Sequence, residues 1–178
     1  REFENTDWFF KNIHFKNIVF PKPNREFSSS EVLTTSFETG LHMDKWLETN
    51  PSQAERDHFA QLLYDFFLYT TFEIKRFHAD PNPGNYLFKH DGSIAVIDFG
   101  CVKSFDSELV ATLREITKAH IHVNDVEIKR LYKKLGLQME ISSKEFDEFY
   151  ETQLKPFGQW ISIPYQTDVF DFGKNKAF

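Results

Sequence analysis

His78-Ala79-Asp80-Pro81-Asn82-Pro83-Gly84-Asn85, followed by Ile97-Asp98-Phe99-Gly100, is the stretch whose reading decides the fold. The first string fits H-x-D-x-x-x-x-N and the second contains D-F-G. This residue set suits phosphoryl transfer, in which the protein mainly positions groups and neutralises phosphate charge. An aspartate beside an acceptor hydroxyl can orient it or take its proton, the role expected of Asp80. An asparagine and a second aspartate supply hard oxygen ligands for Mg²⁺, the role expected of Asn85 and Asp98. The structural alternatives are an Asx-turn at Asp80 before Pro81 and strand-end hydrogen bonding by Asn85 and Asp98. Between the strings, Tyr86-Leu87-Phe88 and Ile94-Ala95-Val96-Ile97 flank His90-Asp91-Gly92, which predicts a β-hairpin with an Asp-Gly turn. Such a hairpin would hold Asn85 and Asp98 at one end, facing one cavity. D-F-G alone says little. Asp171-Phe172-Gly173 is a second copy, but it has no H-x-D-x-x-x-x-N upstream at hairpin distance and reads as structural.

Upstream, Ser52-Gln53-Ala54-Glu55 fits a capping box after Pro51. Phe59, Leu62, Leu63, Phe66, Phe67, Thr70 and Ile74 then keep the helical period, predicting a long helix over about 52–76. Residues 43–49 read as a short helix. The β-branched run Val32-Leu33-Thr34-Thr35-Ser36-Phe37 reads as a strand ended by Glu38-Thr39-Gly40. Prolines and serines make 21–30 a loop, and Ile13, Phe15, Ile18 and Phe20 suggest a strand or an irregular packed segment before it. Downstream, helices are predicted over about 106–121 and 125–135, the latter stopped by Gly136. A third opens at the capping box Ser142-Ser143-Lys144-Glu145. The fold class is α+β with helix in excess.

Composition narrows the function classes. The 178 residues are 40% hydrophobic and 27% charged, enough for a packed core and too ordered a mixture for global disorder. A net charge of −6 argues against a nucleic-acid partner, which would need clustered positive charge. The single cysteine, Cys101, excludes an internal disulfide framework. No apolar run approaches the ~20 residues that span a bilayer, and the opening residues do not read as a signal peptide. The expectation is a cytoplasmic protein, peripheral to a membrane at most, with an organelle as the alternative setting. Phenylalanine is abundant, at 21 residues. An aromatic core is the plain reading, and lipid- or partner-facing rings are the sharper one.

The chain resembles the UbiB family, the aarF-domain-containing atypical kinases. His78-Ala79-Asp80-Pro81-Asn82-Pro83-Gly84-Asn85 matches its H-x-D-P-x-x-x-N segment, and Ile97-Asp98-Phe99-Gly100-Cys101 suits its bacterial members. Val32 to Gly40 resembles its hinge, Arg1-Glu2 its helix C, and Phe170-Asp171-Phe172-Gly173 a later segment. The resemblance implies a protein-kinase-like fold: residues 1–37 would be the end of helix C and the remaining small-lobe strands, 38–42 the hinge, and 43–178 the helical large lobe. It implies ATP and Mg²⁺ as cofactors, with Asp80 and His78 in the catalytic loop and Asn85 and Asp98 as metal ligands. Phe37, Glu38 and Thr39 would offer backbone groups to adenine, and Glu2 would pair with the nucleotide lysine. For His78, bracing of the loop by packing and hydrogen bonding is favoured over acid–base chemistry. The implied role lies in isoprenoid-quinone (ubiquinone) biosynthesis or membrane-lipid homeostasis, with a lipid or quinone-pathway molecule and peripheral membrane contact as partners besides nucleotide. The family's Lys-x-Gly-Gln extension, Ala-rich phosphate loop and phosphate-contacting lysine are expected before residue 1, so residues 1–178 alone are expected to be weak or inactive.

Competing functions are a phosphotransferase of the aminoglycoside- or choline-kinase type, which shares H-x-D-x-x-x-x-N, and a nucleotide-sensing scaffold with little turnover. A metal hydrolase using His78, Asp80 and His90 is weaker, because no compact ligand set such as H-E-x-x-H is present. His120 and His122 read as an exposed helix end, Cys101 as a packed small residue, and Lys129-Arg130 with Lys133-Lys134 as a solvated helix face with anionic membrane contact as the alternative.

Overall fold

Both strings fall in the first of two compact units, Arg1–Phe105 and Asp106–Phe178. The computed structural model describes residues 1–137, 142–171 and 174; Phe172 and Gly173 of the second D-F-G lie outside the described residues.

In the first unit, helix α1 (Glu2–Asn12) carries Glu2 and Glu4 in its first turn and Lys11 in its last, each sign matching the local end of the helix dipole. Its buried face presents Asn5, Thr6 and Phe9. Strand β1 (Ile18–Val19) runs parallel to β4 (Ile94–Val96), which pairs antiparallel with β3 (Tyr86–Phe88). All three residues of the central strand β4 are fully buried. The predicted hairpin is thus present. Phe9, Phe20, Phe66 and Phe99 form the aromatic heart of the core, with ring centroids 4.6 Å apart for Phe9–Phe99 and 5.8 Å for Phe20–Phe99. For these phenylalanines the plain reading was the right one.

The short helix α2 (Met43–Glu48) and α3 (Gln53–Leu68) follow, and the Ser52–Glu55 capping box forms in both directions. Regular α geometry stops at Leu68, before the predicted end. A wider turn continues over Tyr69–Glu73, closed by Ile74 N–H donating to the Tyr69 carbonyl. The Thr70 hydroxyl donates back to the Phe66 carbonyl at 2.9 Å, a contact that bends helices. Two short strands then appear that the sequence reading did not anticipate: β2 (Arg76–His78) and β5 (Val102–Ser104), paired antiparallel.

The strand expected at 32–37 does not form. Only Thr35 makes a bridge, to Pro23, while Val32 and Phe37 stay exposed. Side chains have taken the backbone donors a ladder would need. Ser28 Oγ accepts from Thr34 N–H, and Ser29 Oγ accepts from Val32 N–H.

The second unit is helical: α4 (Ser107–Ile121), α5 (Asp125–Lys134), α6 (Ser143–Phe149) and α7 (Lys155–Ser162), with a wide turn at Tyr150–Leu154 between the last two. Gly136, at φ +87°, ends the α5 segment as expected. Ile116, Ile128, Leu131, Phe146 and Tyr150 build its core. The Tyr150 hydroxyl donates to Asp125, which also pairs with Lys155. Burial and the Asp125 carboxylate push the Tyr150 phenol strongly up. His120 is a correction: it is 2% exposed, bonded through Nε2 to the Tyr132 hydroxyl, and only His122 is exposed at the helix end. The basic face is ion-paired, Lys129 with Asp147, Arg130 with Glu127 and Lys134 with Glu108.

Candidate functional site

Two ladders frame the strings. Before the first string, β2 pairs with β5 in the register Arg76↔Ser104, Phe77↔Lys103 and His78↔Val102, and Ala79 N–H donates to the Cys101 carbonyl at 2.8 Å. After it, Tyr86 pairs with Val96, and Ile97 N–H donates to the Asn85 carbonyl at 3.0 Å. Residues 79–85 and 97–101 are therefore two arcs closed at both ends by backbone hydrogen bonds.

Within the first arc, Asp80 Oδ2 accepts from Asn85 Nδ2 at 3.1 Å, and Asp80 Oδ1 accepts from Asn82 N–H at 3.3 Å. Asn82 Oδ1 accepts from Gly84 N–H at 2.9 Å and opens the tight turn Pro83–Asn85. The expected Asx chemistry is present, yet it also aims Asp80 and Asn85 at each other. Because the Asn85 amide nitrogen donates to Asp80, its amide oxygen is left for a cation. In the second arc, Asp98 Oδ1 accepts from Gly100 N–H at 2.7 Å, leaving its other oxygen free to ligate. Among the described residues no group of three or more His, Cys, Asp or Glu is disposed to hold a metal. One amide oxygen and one carboxylate fit Mg²⁺, which is bound through one or two protein ligands and completed by phosphate and water.

Glu2 arrives from α1. A methyl group built on Gly100 would lie 3.2 Å from Asp98 Oδ1 and 3.9 Å from Glu2 Cδ, so both carboxylates flank the glycine. Two residues that sequence reasoning missed fix this approach. Asn5 Nδ2 donates to the Phe99 carbonyl at 2.8 Å in the interior, and Asn5 Oδ1 accepts from Arg76 Nη2 at 2.7 Å. The Arg76 guanidinium lies over the Trp8 ring, 4.4 Å from its centroid, and burial pushes its pKa down. Helix α1, the D-F-G carbonyl and β2 are thus tied through one amide.

His78 is buried beside Phe99 and Tyr86, with ring centroids 5.7 and 6.0 Å away. The packing expected of it is present. Neither ring nitrogen meets full hydrogen-bond geometry, and the Asp98 backbone makes the weaker polar approach to the ring. Burial pushes its pKa below the ordinary histidine value; the nearby Asp98 backbone and the Asp98 and Asp80 charges oppose the shift without cancelling it. Burial likewise raises the Tyr86 phenol. Cys101 is half-buried.

The hinge residues sit elsewhere in the first unit. Phe37 is 90% exposed. Glu38 accepts from Ser36 Oγ and pairs with Lys89 at 3.2 Å, both partners being mostly covered. Past Thr39, Gly40 presses against β3, where an added Cβ would lie 2.9 Å from Leu87 Cβ; Leu41 and Phe88 then exchange backbone hydrogen bonds. The backbone groups of residues 37–39 make no hydrogen bond among the described residues, so they remain available to a ligand. No hydrogen bond or ion pair among the described residues joins 37–39 to Asp80, Asn85 or Asp98.

Comparisons with known proteins agree on the kind of domain. The ABC1 atypical kinase-like domain matches residues 1–132. An aarF domain-containing protein kinase of Arabidopsis thaliana, named as chloroplastic, is 31% identical over 122 residues, which is 66% of this chain and 16% of the relative. A probable serine/threonine-protein kinase of Dictyostelium discoideum, abkA, is 24% identical over 136 residues, covering 76% of this chain and 24% of its own length. Among solved structures, Rv3197 of Mycobacterium tuberculosis, determined in complex with erythromycin, superimposes with a TM-score of 0.63 at 19% identity, over 96% of this chain and 46% of that one. The chain thus spans a quarter or less of these curated relatives and under half of the solved one. The fold is protein-kinase-like.

Proposed function

Because the chain belongs to the ABC1 atypical kinase-like family, also called aarF or UbiB, we propose that it carries the catalytic centre of an ATP- and Mg²⁺-dependent phosphoryl-transfer protein. The observation that supports this most is the Asp80–Asn85 hydrogen bond, held in an arc closed by the same two ladders that hold Asp98. Asp80 orients the acceptor hydroxyl and takes its proton. Its second oxygen is steadied by Asn82 N–H, so the carboxylate keeps one direction. Asn85 and Asp98 would hold the cation, which supplies neutralisation of phosphate charge when bound. Gly100 N–H fixes the Asp98 carboxylate, and the lack of a side chain at Gly100 leaves room for Glu2 beside it. Glu2 would then pair with a lysine, and the backbone of 37–39 would meet adenine. His78 supports the arc by packing. The acceptor is proposed to belong to isoprenoid-quinone or membrane-lipid metabolism, on the family resemblance alone. Among the described residues no helix is long and apolar enough to cross a membrane.

The test is Asp98→Asn, which keeps shape and removes the anion. A fluorescent ATP analogue titrated with and without Mg²⁺ should show Mg²⁺-dependent binding that the variant loses. ATP turnover of the full-length protein should fall by on the order of 10²-fold or more, as for loss of one transition-state electrostatic group. Unchanged Mg²⁺ dependence in the variant would remove Asp98 from the metal site.

A further inference from the structure

The middle of the second arc, Asp98 to Gly100, lies between the two ladders and belongs to neither. Among the described residues, beside the weaker approach of the Asp98 backbone to His78, it makes two hydrogen bonds, and one peptide unit carries both. The Phe99 carbonyl accepts from Asn5 Nδ2 at 2.8 Å, and the Gly100 N–H donates to Asp98 Oδ1 at 2.7 Å. A peptide unit is planar and rigid, so whatever turns the Phe99 carbonyl turns the Gly100 N–H with it. The Phe9 ring packs on that of Phe99, with centroids 4.6 Å apart. Such packing is non-directional: it fixes where the residue sits and leaves the turn of its peptide plane to the hydrogen bond.

Asn5 is itself held in one orientation. Its Oδ1 accepts from Arg76 Nη2 at 2.7 Å. A guanidinium can only donate and a carbonyl can only accept, so a flipped amide would set oxygen against oxygen and N–H against N–H. Asn5 also stands one helical turn from Glu2 on the same face of α1, and Glu2 flanks Gly100. We propose that Asn5 is a positioning residue for Asp98: through the rigid 99–100 peptide unit it aims the metal-binding carboxylate, and one placement of α1 thereby sets both Asp98 and Glu2. This deepens the phosphoryl-transfer reading and rests on it for what Asp98 does. The bond from the Gly100 N–H to the carboxylate is of the stronger, charge-assisted kind. When the peptide plane turns, that bond is lost and Asp98 is free to rotate away from the direction in which it meets the cation.

For the test, the full-length protein is labelled with ¹³C-carbonyl phenylalanine and ¹⁵N-glycine, so that the 99–100 peptide unit gives its own NMR signal, identified by its loss in Gly100→Ala. Asn5→Asp keeps the acceptor for Arg76 and removes the donor to Phe99. We expect the Gly100 amide proton, held downfield by the carboxylate, to move upfield. The Mg²⁺ concentration that half-saturates binding of a fluorescent ATP analogue should rise roughly three- to tenfold, the worth of one net hydrogen bond, with Mg²⁺-free binding unchanged. Phe59→Leu, which thins the core of the same unit beside Trp46 and Phe88, should lower the urea midpoint and move neither readout. Arg76→Met covers the case in which the Asn5 variant fails to fold: it should move both readouts the same way, and Arg76→Lys, which keeps a donor for Asn5, should restore most of the change. A shifted Phe99 carbonyl with the Gly100 proton unmoved overturns the proposal, as does a moved Gly100 proton with an unaltered Mg²⁺ requirement. A wild type whose nucleotide binding is indifferent to Mg²⁺ overturns the reading of the site itself, and with it the role given to Asn5, even where the Gly100 proton moves.

Discussion

Asn5 offers the sharpest test of how the site is held. Asn5→Ala removes two hydrogen bonds at once: the donor to the buried Phe99 carbonyl and the acceptor for Arg76. Leaving a buried carbonyl without its donor costs about 1–3 kcal/mol. The Arg76 bond is only part-buried, so solvent replaces some of it and about 1 kcal/mol is a fair share. The sum, about 2–4 kcal/mol, is a large part of the roughly 5–15 kcal/mol that holds a typical domain together. Asn5→Asp separates the two contributions. It keeps an acceptor for Arg76 but brings a carboxylate to the Phe99 carbonyl, so it should fall between wild type and alanine. Urea unfolding followed by the fluorescence of Trp8, which lies under Arg76, and of Trp46 reads the first unit when Trp160→Phe silences the second. A loss below about 1 kcal/mol for Asn5→Ala, or an aspartate variant worse than alanine, would refute the reasoning.

Three more outcomes follow from the geometry. Gly158→Ala should destabilise the helical unit by about 1–3 kcal/mol or more, because its methyl would sit 2.0 Å from the buried His120 ring; an unchanged urea midpoint by Trp160 fluorescence would contradict that packing. Gly40→Ala should loosen the Leu41–Phe88 pairing, since its Cβ would press on Leu87 Cβ and the Phe88 carbonyl; hydrogen exchange at the Phe88 amide should speed up several-fold, and unaltered exchange would count against the contact. Burial holds the His120 pKa below its ordinary 6.5, the Asp125 charge opposing, so its contribution is complete above that pH and is lost as pH falls through 6.5 towards the folded value, where the unfolded chain takes up the proton first. The midpoint of the second unit should therefore drop between about pH 7.5 and pH 5.5, and His120→Gln should flatten the drop; parallel slopes would exclude His120 as the cause.

Features with a local cause were legible in the sequence. The capping boxes at Ser52 and Ser142, the Asp-Gly hairpin and the stop at Gly136 each depend on residues a few positions apart, and each is present. The two strings gave the site because loop chemistry places Asp80 and Asn85 locally. Asn5 could not be found this way, since its partners lie 94 and 71 residues along the chain and an asparagine in a helix carries no signal of its target. Strands β2 and β5 were too short for a periodic pattern. The run at 32–37 misled because β-branched composition reports fitness for a half-buried ladder, and here the Ser28 and Ser29 side chains captured two of its donors first. His120 misled because nothing in the sequence announces that a glycine will cover it.

The two ladders around the arcs have a mechanical consequence. Arcs joined at both ends behave as a rigid frame, in which neither side can be lengthened alone. One inserted residue between Asp80 and Asn85, or between Asp98 and Cys101, would push its flanking strand one position along its partner. In a strand of period two, that step turns every side chain to the opposite face. Tyr86 and Phe88, whose shared face packs on the aromatic core, would turn away from it, and Leu87 would take their face. The frame therefore tolerates exchange of one side chain for another far better than a change of length, and the distance along the chain from Asp80 to Asn85 to Asp98 is set as much by the carpentry of the strands as by what a phosphate requires.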